Sequence, residues 1–186
     1  MDLLTDFLLH NPAYLFAFAI SIVESIILRL FSVQTGFTWT FIFLIGFIGI
    51  CVGQFVRTTA LVTAGRNFDH QIQKRHKEGH KLVEEGIYSW VRHPGYCGWF
   101  MWAVSTQVMM CNIVSVLLYV AVIWTFFAVR IQYEEETLVR FFGQNYEDYR
   151  RRVVHSGVPF SSIVDLRASL PPKVVVVMTD QGKQIR

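Results

Sequence analysis

One long apolar stretch constrains this chain more than any other feature. Residues 94–129 are 36 residues that include no Asp, Glu, Lys, Arg or His. A single helix of that length would reach ~54 Å, which is nearly twice the ~30 Å thickness of a bilayer's hydrocarbon core. The stretch must therefore fold back on itself, and Cys111-Asn112 is the obvious break. We predict a tight helical hairpin with arms at 95–110 and 113–129.

The composition of the whole chain also favours an integral membrane protein. Hydrophobic residues make up 53% and charged residues 17% of the 186 residues, whereas an ordinary soluble domain has roughly 25% charged residues. The net charge of +3 is too small to indicate nucleic acid binding. All three cysteines lie in apolar segments, which favours free thiols over a disulfide framework.

Two more membrane spans are predicted before the hairpin. An apolar run at 13–31 is long enough to cross a bilayer, and it follows Asn11-Pro12, a typical helix start. We interpret Glu24, within this run, as paired inside the bundle. A second span lies at 37–56. Its glycines recur at spacings of three and four, which predicts close packing against a neighbouring helix: Gly46, Gly49 and Gly53.

The distribution of basic residues predicts the topology of these four spans. Basic residues are concentrated in the loop 57–93 and in the tail 130–160, whereas the short connections 32–36 and 111–112 contain none. Cytoplasmic loops of membrane proteins carry an excess of Lys and Arg. We therefore expect the long loop and the tail to lie together on the cytosolic side of the membrane.

The predicted fold class is an all-α, polytopic integral membrane protein with about four transmembrane helices. The last two form the hairpin, and a cytosolic loop and a C-terminal helix complete the fold. We expect one membrane domain over residues 1–160, with its cytosolic parts at 57–93 and 130–160. Residues 161–186 have no clear pattern and are left as a tail of unknown structure.

Arg130 and Glu134 are candidate site residues at the exit of the fourth span. They are four residues apart, so a helix places them on one face. One interpretation is an ordinary exposed ion pair at a helix end. The other is a binding site at the membrane boundary, because the planar guanidinium suits a carboxylate. Glu135 and Glu136 are interpreted as a solvated acidic surface.

The histidines of the long loop do not favour a metal site. His76 and His80 have the spacing that can bind one metal on a helix face. Gly79 weakens such a helix, however, and the sequence HKEGH lacks the Glu directly after the first His that a zinc protease requires. We predict no metal.

Several motifs together resemble the isoprenylcysteine carboxyl methyltransferase family. They are TAGRNF, a Gln seven residues before HKLV, GIYSWVRHPGYCGWF, TQVMMCN, and an Arg-x-x-x-Glu-Glu helix before FFGQNYEDYRRRV. The resemblance covers roughly residues 13–160. The RHPxY motif followed by a Glu-Glu pair is shared with phospholipid N-methyltransferases and, more loosely, with membrane sterol reductases.

This resemblance implies a cytosolic pocket for S-adenosylmethionine, formed by the loop and the tail. Arg130 would bind the substrate, and Arg130 and Glu134 would be the catalytic residues. The residues implied to contact the cofactor are Gln73, His80, Lys81, Leu82, Val83, Tyr88, His93, Pro94, Gly95, Tyr96 and Glu134.

The implied enzyme is a protein-S-isoprenylcysteine O-methyltransferase of the endoplasmic reticulum membrane, with its active site facing the cytosol. Its substrates would be C-terminally prenylated proteins, such as small GTPases, after CaaX processing. Two alternatives stay open. One is a phosphatidylethanolamine-type phospholipid N-methyltransferase. The other is a truncated, inactive membrane isoform, because family members usually carry at least one further span ahead of residue 13.

Overall fold

A computed structural model describes residues 11–31, 36–68 and 81–159. These residues form five α-helices, and they contain no strand. Two short 3₁₀ turns, Gly65–Asn67 and Gly86–Ser89, lie between the second and third helices. The helices are α1 (Pro12–Leu30), α2 (Gly36–Ala64), α3 (Pro94–Met109), α4 (Ile113–Phe142) and α5 (Gln144–Arg152). The predicted site residues Gln73 and His80, and the tail 161–186, lie outside the described residues.

The predicted hairpin of α3 and α4 is confirmed. α3 ends at Met109 and α4 begins at Ile113. Cys111 reverses the chain with a positive φ of 57°. Asn112 is fully buried at the turn. Its side-chain amide nitrogen donates to Gln107 Oε1 at 3.0 Å, and to two further oxygens on α1, Ser21 O and Ser25 Oγ.

The glycines of α2 pack against α3 as predicted. A Cβ atom on Gly46 would lie 2.3 Å from the backbone nitrogen of Met109, and one on Gly53 would lie 2.6 Å from that of Trp102. Real Cβ atoms do not approach backbone so closely, so the two helices can touch only because these positions carry no side chain. This contact fixes the start of α3 beside the end of α2.

Glu24 joins α1 to the start of α4. Its carboxylate accepts hydrogen bonds from the backbone N–H groups of Val114, at 2.9 Å, and Ser115, at 2.8 Å, and from the Ser115 hydroxyl at 2.6 Å. The first N–H groups of a helix have no partner within the helix, and a carboxylate there also interacts favourably with the helix dipole. The prediction that Glu24 is paired inside the bundle is therefore confirmed.

Within the described residues, three helices are long and apolar enough to cross a membrane: α1, α2 extended to Asn67, and α4. These three correspond to the first, second and fourth predicted spans. α3 lies at the position of the third, but its 16 residues would reach only about 24 Å at 1.5 Å per residue. The count of four spans therefore stays a prediction. α4 continues beyond the predicted span 113–129 to Phe142.

Candidate active site

A cleft opens where the end of α2, the start of α3 and the second half of α4 meet. It includes every described residue that was predicted to contact the cofactor, except Pro94, which is buried at the first position of α3. The chain thus brings together positions that are more than fifty residues apart. The lining residues are Ala64, Asn67, Phe68, Lys81, Leu82, Val83, Tyr88, Arg92, His93, Gly95, Tyr96, Glu134, Thr137, Leu138, Phe141 and Phe142.

The start of α3 carries His93 and Tyr96 into this cleft. His93 precedes Pro94, which begins the helix, and its carbonyl accepts hydrogen bonds from the N–H groups of Tyr96 and Cys97. Proline suits a first helical position because its φ is already helical and its missing N–H is not needed. Arg57 of α2 donates to the carbonyl of Gly95 at 3.3 Å, which holds this first turn against α2.

Arg130 and Glu134 are connected through Tyr96. The Nε of Arg130 donates to the Tyr96 hydroxyl at 3.0 Å, and that hydroxyl donates to Oε2 of Glu134. Arg130 is only 5% exposed, and its guanidinium carbon lies 5.7 Å from the centre of the Tyr96 ring and 5.9 Å from that of Phe126. The interpretation of Arg130 as part of an exposed surface ion pair is therefore wrong.

A row of aromatic rings runs from the cleft into the bundle. The rings of His93 and Tyr96 are stacked with their centres 5.7 Å apart, and those of Tyr96 and Phe127 are stacked at 4.9 Å. Phe127 is 5% exposed and belongs to the main hydrophobic core. The two neighbouring rings therefore restrict the orientation of Tyr96, and this places its hydroxyl between Arg130 and Glu134.

A second cavity, of about 450 Å³, lies between the start of α1 and α4. Its lining is largely apolar, and its polar members are Asn11, Thr125 and Arg130. It therefore meets the cleft at the Arg130–Tyr96 contact, since Arg130 lines one space and Tyr96 the other. The lining residues are Asn11, Ala13, Ala121, Val122, Thr125, Phe126, Val129 and Arg130.

Glu135 differs from the prediction of a solvated acidic surface. Its side chain is 12% exposed, and Oε1 lies 2.8 Å from Arg92 Nε and 3.3 Å from His93 Nε2. Consecutive helical residues point about 100° apart, so Glu134 faces the cleft while Glu135 faces the residues before α3. The buried Arg92 requires an anionic partner, and Glu135 supplies it.

Several cleft residues were not predicted from the sequence, although a pattern in the sequence indicates them. Thr137, Leu138, Phe141 and Phe142 follow Glu134 at the spacings of one helical face, so they extend the cleft along α4. Asn67, in the GRNF motif, accepts a hydrogen bond from the backbone N–H of Lys81 at 3.0 Å. That contact joins the two edges of the long loop at the cleft.

The tyrosines around the cleft are held in their neutral form. Burial, with a smaller contribution from the charge of Glu134, raises the pKa of Tyr88 to about 12. Burial also raises the pKa of Tyr149, whose hydroxyl donates to the Tyr88 carbonyl at 2.7 Å. At neutral pH these groups are therefore hydrogen-bonding and packing elements of the site, and they do not exchange protons.

Comparison with known proteins identifies the family. The model of the isoprenylcysteine carboxyl methyltransferase family matches residues 44–140, which include most of the cleft. The chain belongs to the isoprenylcysteine carboxyl methyltransferase family. It is similar to a probable protein-S-isoprenylcysteine O-methyltransferase of Oryza sativa subsp. indica, with 41% identity over 153 residues that cover 82% of this chain and 79% of the relative.

Two other relatives agree with this assignment. Protein-S-isoprenylcysteine O-methyltransferase B of Arabidopsis thaliana is 46% identical over 153 residues, which cover 82% of this chain and 77% of the relative. A solved structure of a eukaryotic intramembrane Ras methyltransferase from the same family superposes with a TM-score of 0.72 at 40% identity. The match covers 81% of this chain, which spans about half of that structure (53%).

Family membership and fold together define the class of protein. The isoprenylcysteine carboxyl methyltransferases are methyltransferases, so their reaction requires a methyl donor. The described helices include three that are long and apolar enough to cross a membrane. This chain is therefore an integral membrane protein of a methyltransferase family, and phospholipid N-methylation is not favoured.

Proposed function

We propose that this protein uses S-adenosylmethionine to methylate the C-terminal carboxylate of prenylated cysteine in proteins processed at a CaaX motif. The observation that carries the proposal is that the cleft and the second cavity meet at the hydrogen-bonded residues Arg130, Tyr96 and Glu134. The reaction joins a polar, cationic donor to a lipid-modified acceptor with an anionic end. The cleft, whose lining includes the charged or polar side chains of Lys81, His93 and Glu134, suits the donor. The largely apolar cavity that reaches Arg130 suits the acceptor.

The residues of the cleft fit S-adenosylmethionine by their chemistry. Glu134 offers a carboxylate to a ligand with a cationic centre and hydroxyl groups, and Leu82, Val83 and Phe141 offer apolar walls to a flat base. Gln73 and His80, which precede Lys81 in the same loop of the sequence, would complete the set. Bound there, S-adenosylmethionine supplies an activated methyl group on a sulfonium.

Arg130 would hold the acceptor carboxylate at the junction of the two spaces. Its fork-shaped guanidinium can bind a carboxylate through two hydrogen bonds, and its buried position strengthens that interaction. The hydrogen bond to Tyr96 and the nearby Phe126 ring restrict the guanidinium to one orientation. A prenyl chain of ~15–20 carbons cannot lie free in water and would occupy the apolar cavity.

The chemistry requires alignment more than proton transfer. A C-terminal carboxylate is ionised at pH 7 and is already a nucleophile, so no residue has to act as a general base. The residues of this chain would bring the carboxylate into line and exclude water, which is the effect that orientation supplies in catalysis.

We further propose that residues 1–160 form a four-span domain of the endoplasmic reticulum membrane, with the cleft on the cytosolic side. The basic residues at the cleft end of the bundle support this orientation, because Lys and Arg favour the cytosolic face. They include Arg140, Arg150, Arg151 and Arg152. Single cysteines introduced by Phe31→Cys and Arg151→Cys should react with an impermeant reagent from opposite sides of sealed microsomes. Reaction from the same side would contradict the orientation.

The function is tested by offering two acceptors to the purified full chain in lipid nanodiscs with labelled S-adenosylmethionine. We expect base-labile methyl ester on an S-farnesylcysteine derivative and no labelled phosphatidylethanolamine. A carboxylate acceptor uses Arg130, whereas an amine acceptor has no use for a buried guanidinium. Label in the phospholipid, with none on the farnesylcysteine, would overturn the proposal in favour of a phospholipid N-methyltransferase.

A further inference from the structure

We propose that residues 153–159, which we call the C-terminal strap, position the methyl-donor site by holding Arg92 and His93, and that Arg92 and Gly157 are its positioning residues. The strap follows α5 and passes beside the residues that precede α3. The proposal rests on the proposed function, because it takes His93 and Tyr96 to contact the donor.

The strap pairs with the backbone just before α3. The N–H of Arg92 donates to the carbonyl of His155 at 3.0 Å, and the N–H of His93 donates to that of Ser156 at 2.7 Å. Arg92 and His93 are both buried, and buried backbone N–H groups need hydrogen-bond partners. The strap supplies these partners to Arg92 and His93, the first two residues of the RHPGY motif.

The Arg92 side chain connects the strap to α4. Its Nη1 donates to the carbonyls of Val153 and Val154, the latter at 2.8 Å, while its Nε donates to Glu135 at 2.8 Å. A buried cation is tolerated only when opposite charge and hydrogen-bond acceptors surround it. One guanidinium therefore binds both the strap carbonyls and Glu135. This shared contact fixes the distance between the strap and α4.

Gly157 allows the strap to lie directly on His93. Its φ of +135° is a conformation that side chains disfavour, and a Cβ atom there would lie 2.6 Å from the His93 carbonyl oxygen. The same carbonyl accepts hydrogen bonds from the N–H groups of Tyr96 and Cys97. A side chain at residue 157 would therefore push against the turn that orients Tyr96.

Both ends of the strap are anchored. The N–H of Val153 donates to the Tyr149 carbonyl at 2.9 Å, and near the other end Val158 is 3% exposed within the main core. Trp124 Nε1 donates to the carbonyl of Pro159. The apolar cavity has no strap residue in its lining. Disturbing the strap should therefore weaken binding of the donor far more than binding of the prenylated acceptor.

The first test compares Arg92→Lys and Gly157→Ala in the full chain. Lys keeps the charge but cannot reach Glu135 and two carbonyls together, because it lacks the guanidinium fork. We expect each change to raise the KM for S-adenosylmethionine about tenfold, as for loss of one charge-assisted hydrogen bond. The KM for S-farnesylcysteine should change by less than about twofold, which is within a few tenths of a kcal/mol.

Gly143→Ala is the matched control. Gly143 also has a positive φ, +55°, but an added Cβ would meet no atom within 4 Å. Gly143→Ala should lower the melting temperature without changing the KM for the donor. A donor KM within twofold of wild type in both Arg92→Lys and Gly157→Ala would overturn the proposal. Failure of the wild-type chain to methylate S-farnesylcysteine would instead overturn the proposed function.

Hydrogen exchange of the wild-type protein tests the strap without relying on the folding of any variant. Adding S-adenosylhomocysteine should slow exchange of the Arg92 and His93 amides about tenfold, because a ligand on His93 stabilises their pairing with the strap. The amides of Val114 and Ser115, which bind Glu24, should not change. Unchanged exchange at Arg92 and His93, in protein shown by calorimetry to bind the ligand, would contradict the proposal.

Discussion

Glu24 and Glu134 lie at opposite ends of the same bundle, and their surroundings differ in one decisive respect. Glu24 gives both carboxylate oxygens to the first turn of α4, where they accept from two backbone N–H groups and one hydroxyl. Glu134 accepts from the Tyr96 hydroxyl through Oε2, its Oε1 lies 3.8 Å from His93 Nδ1, and its side chain lines the cleft. The first is a structural cap, and the second is available to a ligand.

The same contrast separates neighbouring residues within α4. Glu135 is bound by Arg92 and lies close to His93, so its charge is used inside the protein. Glu134, one position earlier, has a more exposed side chain, 26% against 12%. A charged residue in a membrane protein is therefore not by itself a sign of a site. What distinguishes a site is a polar network that reaches an open cavity.

The largest effect is expected at Arg130, where the two spaces meet. Arg130→Ala should lower the methylation rate by about 100-fold or more, because it leaves the acceptor's carboxylate in a buried position without its cation. Arg130→Lys should recover only part of the loss, since an ammonium cannot form the two-point contact. Steady-state kinetics with S-farnesylcysteine measure both changes. Arg151→Ala, at a residue whose side chain is 73% exposed, is the control.

The affinity for the donor distinguishes two causes of a lower rate in Arg130→Ala: loss of the contact with the acceptor's carboxylate, and damage to the cleft. Calorimetry should find that Arg130→Ala binds S-adenosylhomocysteine within about twofold of wild type, a few tenths of a kcal/mol. A wild-type methylation rate in Arg130→Ala would remove this contact from the mechanism.

Glu134→Gln is expected to weaken donor binding by about tenfold, the size of one charge-assisted hydrogen bond. The matched change at the other end, Glu24→Gln, should leave that affinity unchanged, because Glu24 is not in contact with either space. Calorimetric titration of both variants with S-adenosylhomocysteine is the measurement. Equal affinities for Glu134→Gln and wild type would mean that the contrast between the two glutamates is wrong.

Glu24→Gln should reduce stability by about 1–3 kcal/mol, because an amide nitrogen then faces N–H donors and leaves them without an acceptor. The effect should appear as a lower melting temperature in detergent, while the KM for donor and acceptor keep their wild-type values at low temperature. Glu24→Asp, which keeps the charge but shortens the side chain, should fall between the two. A wild-type melting temperature in Glu24→Gln would show that the cap contributes nothing to the fold.

The helices could be predicted because their causes are local. The uncharged stretch of 36 residues required a hairpin, and Cys111-Asn112 was its only break. The glycine spacing of α2 predicted its close packing against a neighbouring helix. Each of these features depends on a few neighbouring residues and on the thickness of the bilayer.

The contacts that hold the site together could not be predicted in the same way. Whether Glu135 is solvated depends on Arg92, which is 43 positions away, and nothing local indicates which carboxylate the guanidinium will choose. The strap is held mainly by backbone hydrogen bonds, which leave little trace in the side chains. Gly157 was the visible sign, but a single glycine in a polar tail is also typical of an ordinary loop.

The smallest expected effect concerns Tyr88, which lines the cleft beside Glu134. Its pKa of about 12 in the folded protein is above the ordinary value of 10, chiefly because of burial and then because of Glu134. The neutral hydroxyl thus stabilises the fold fully below about pH 10, and this contribution is lost as the pH rises towards 12, because the unfolded chain ionises first. Melting temperatures at pH 8, 9.5 and 11 should fall slightly less steeply for Tyr88→Phe than for wild type. Parallel curves would contradict this account and would mean that Tyr88 reaches solvent as freely in the folded protein as in the unfolded chain.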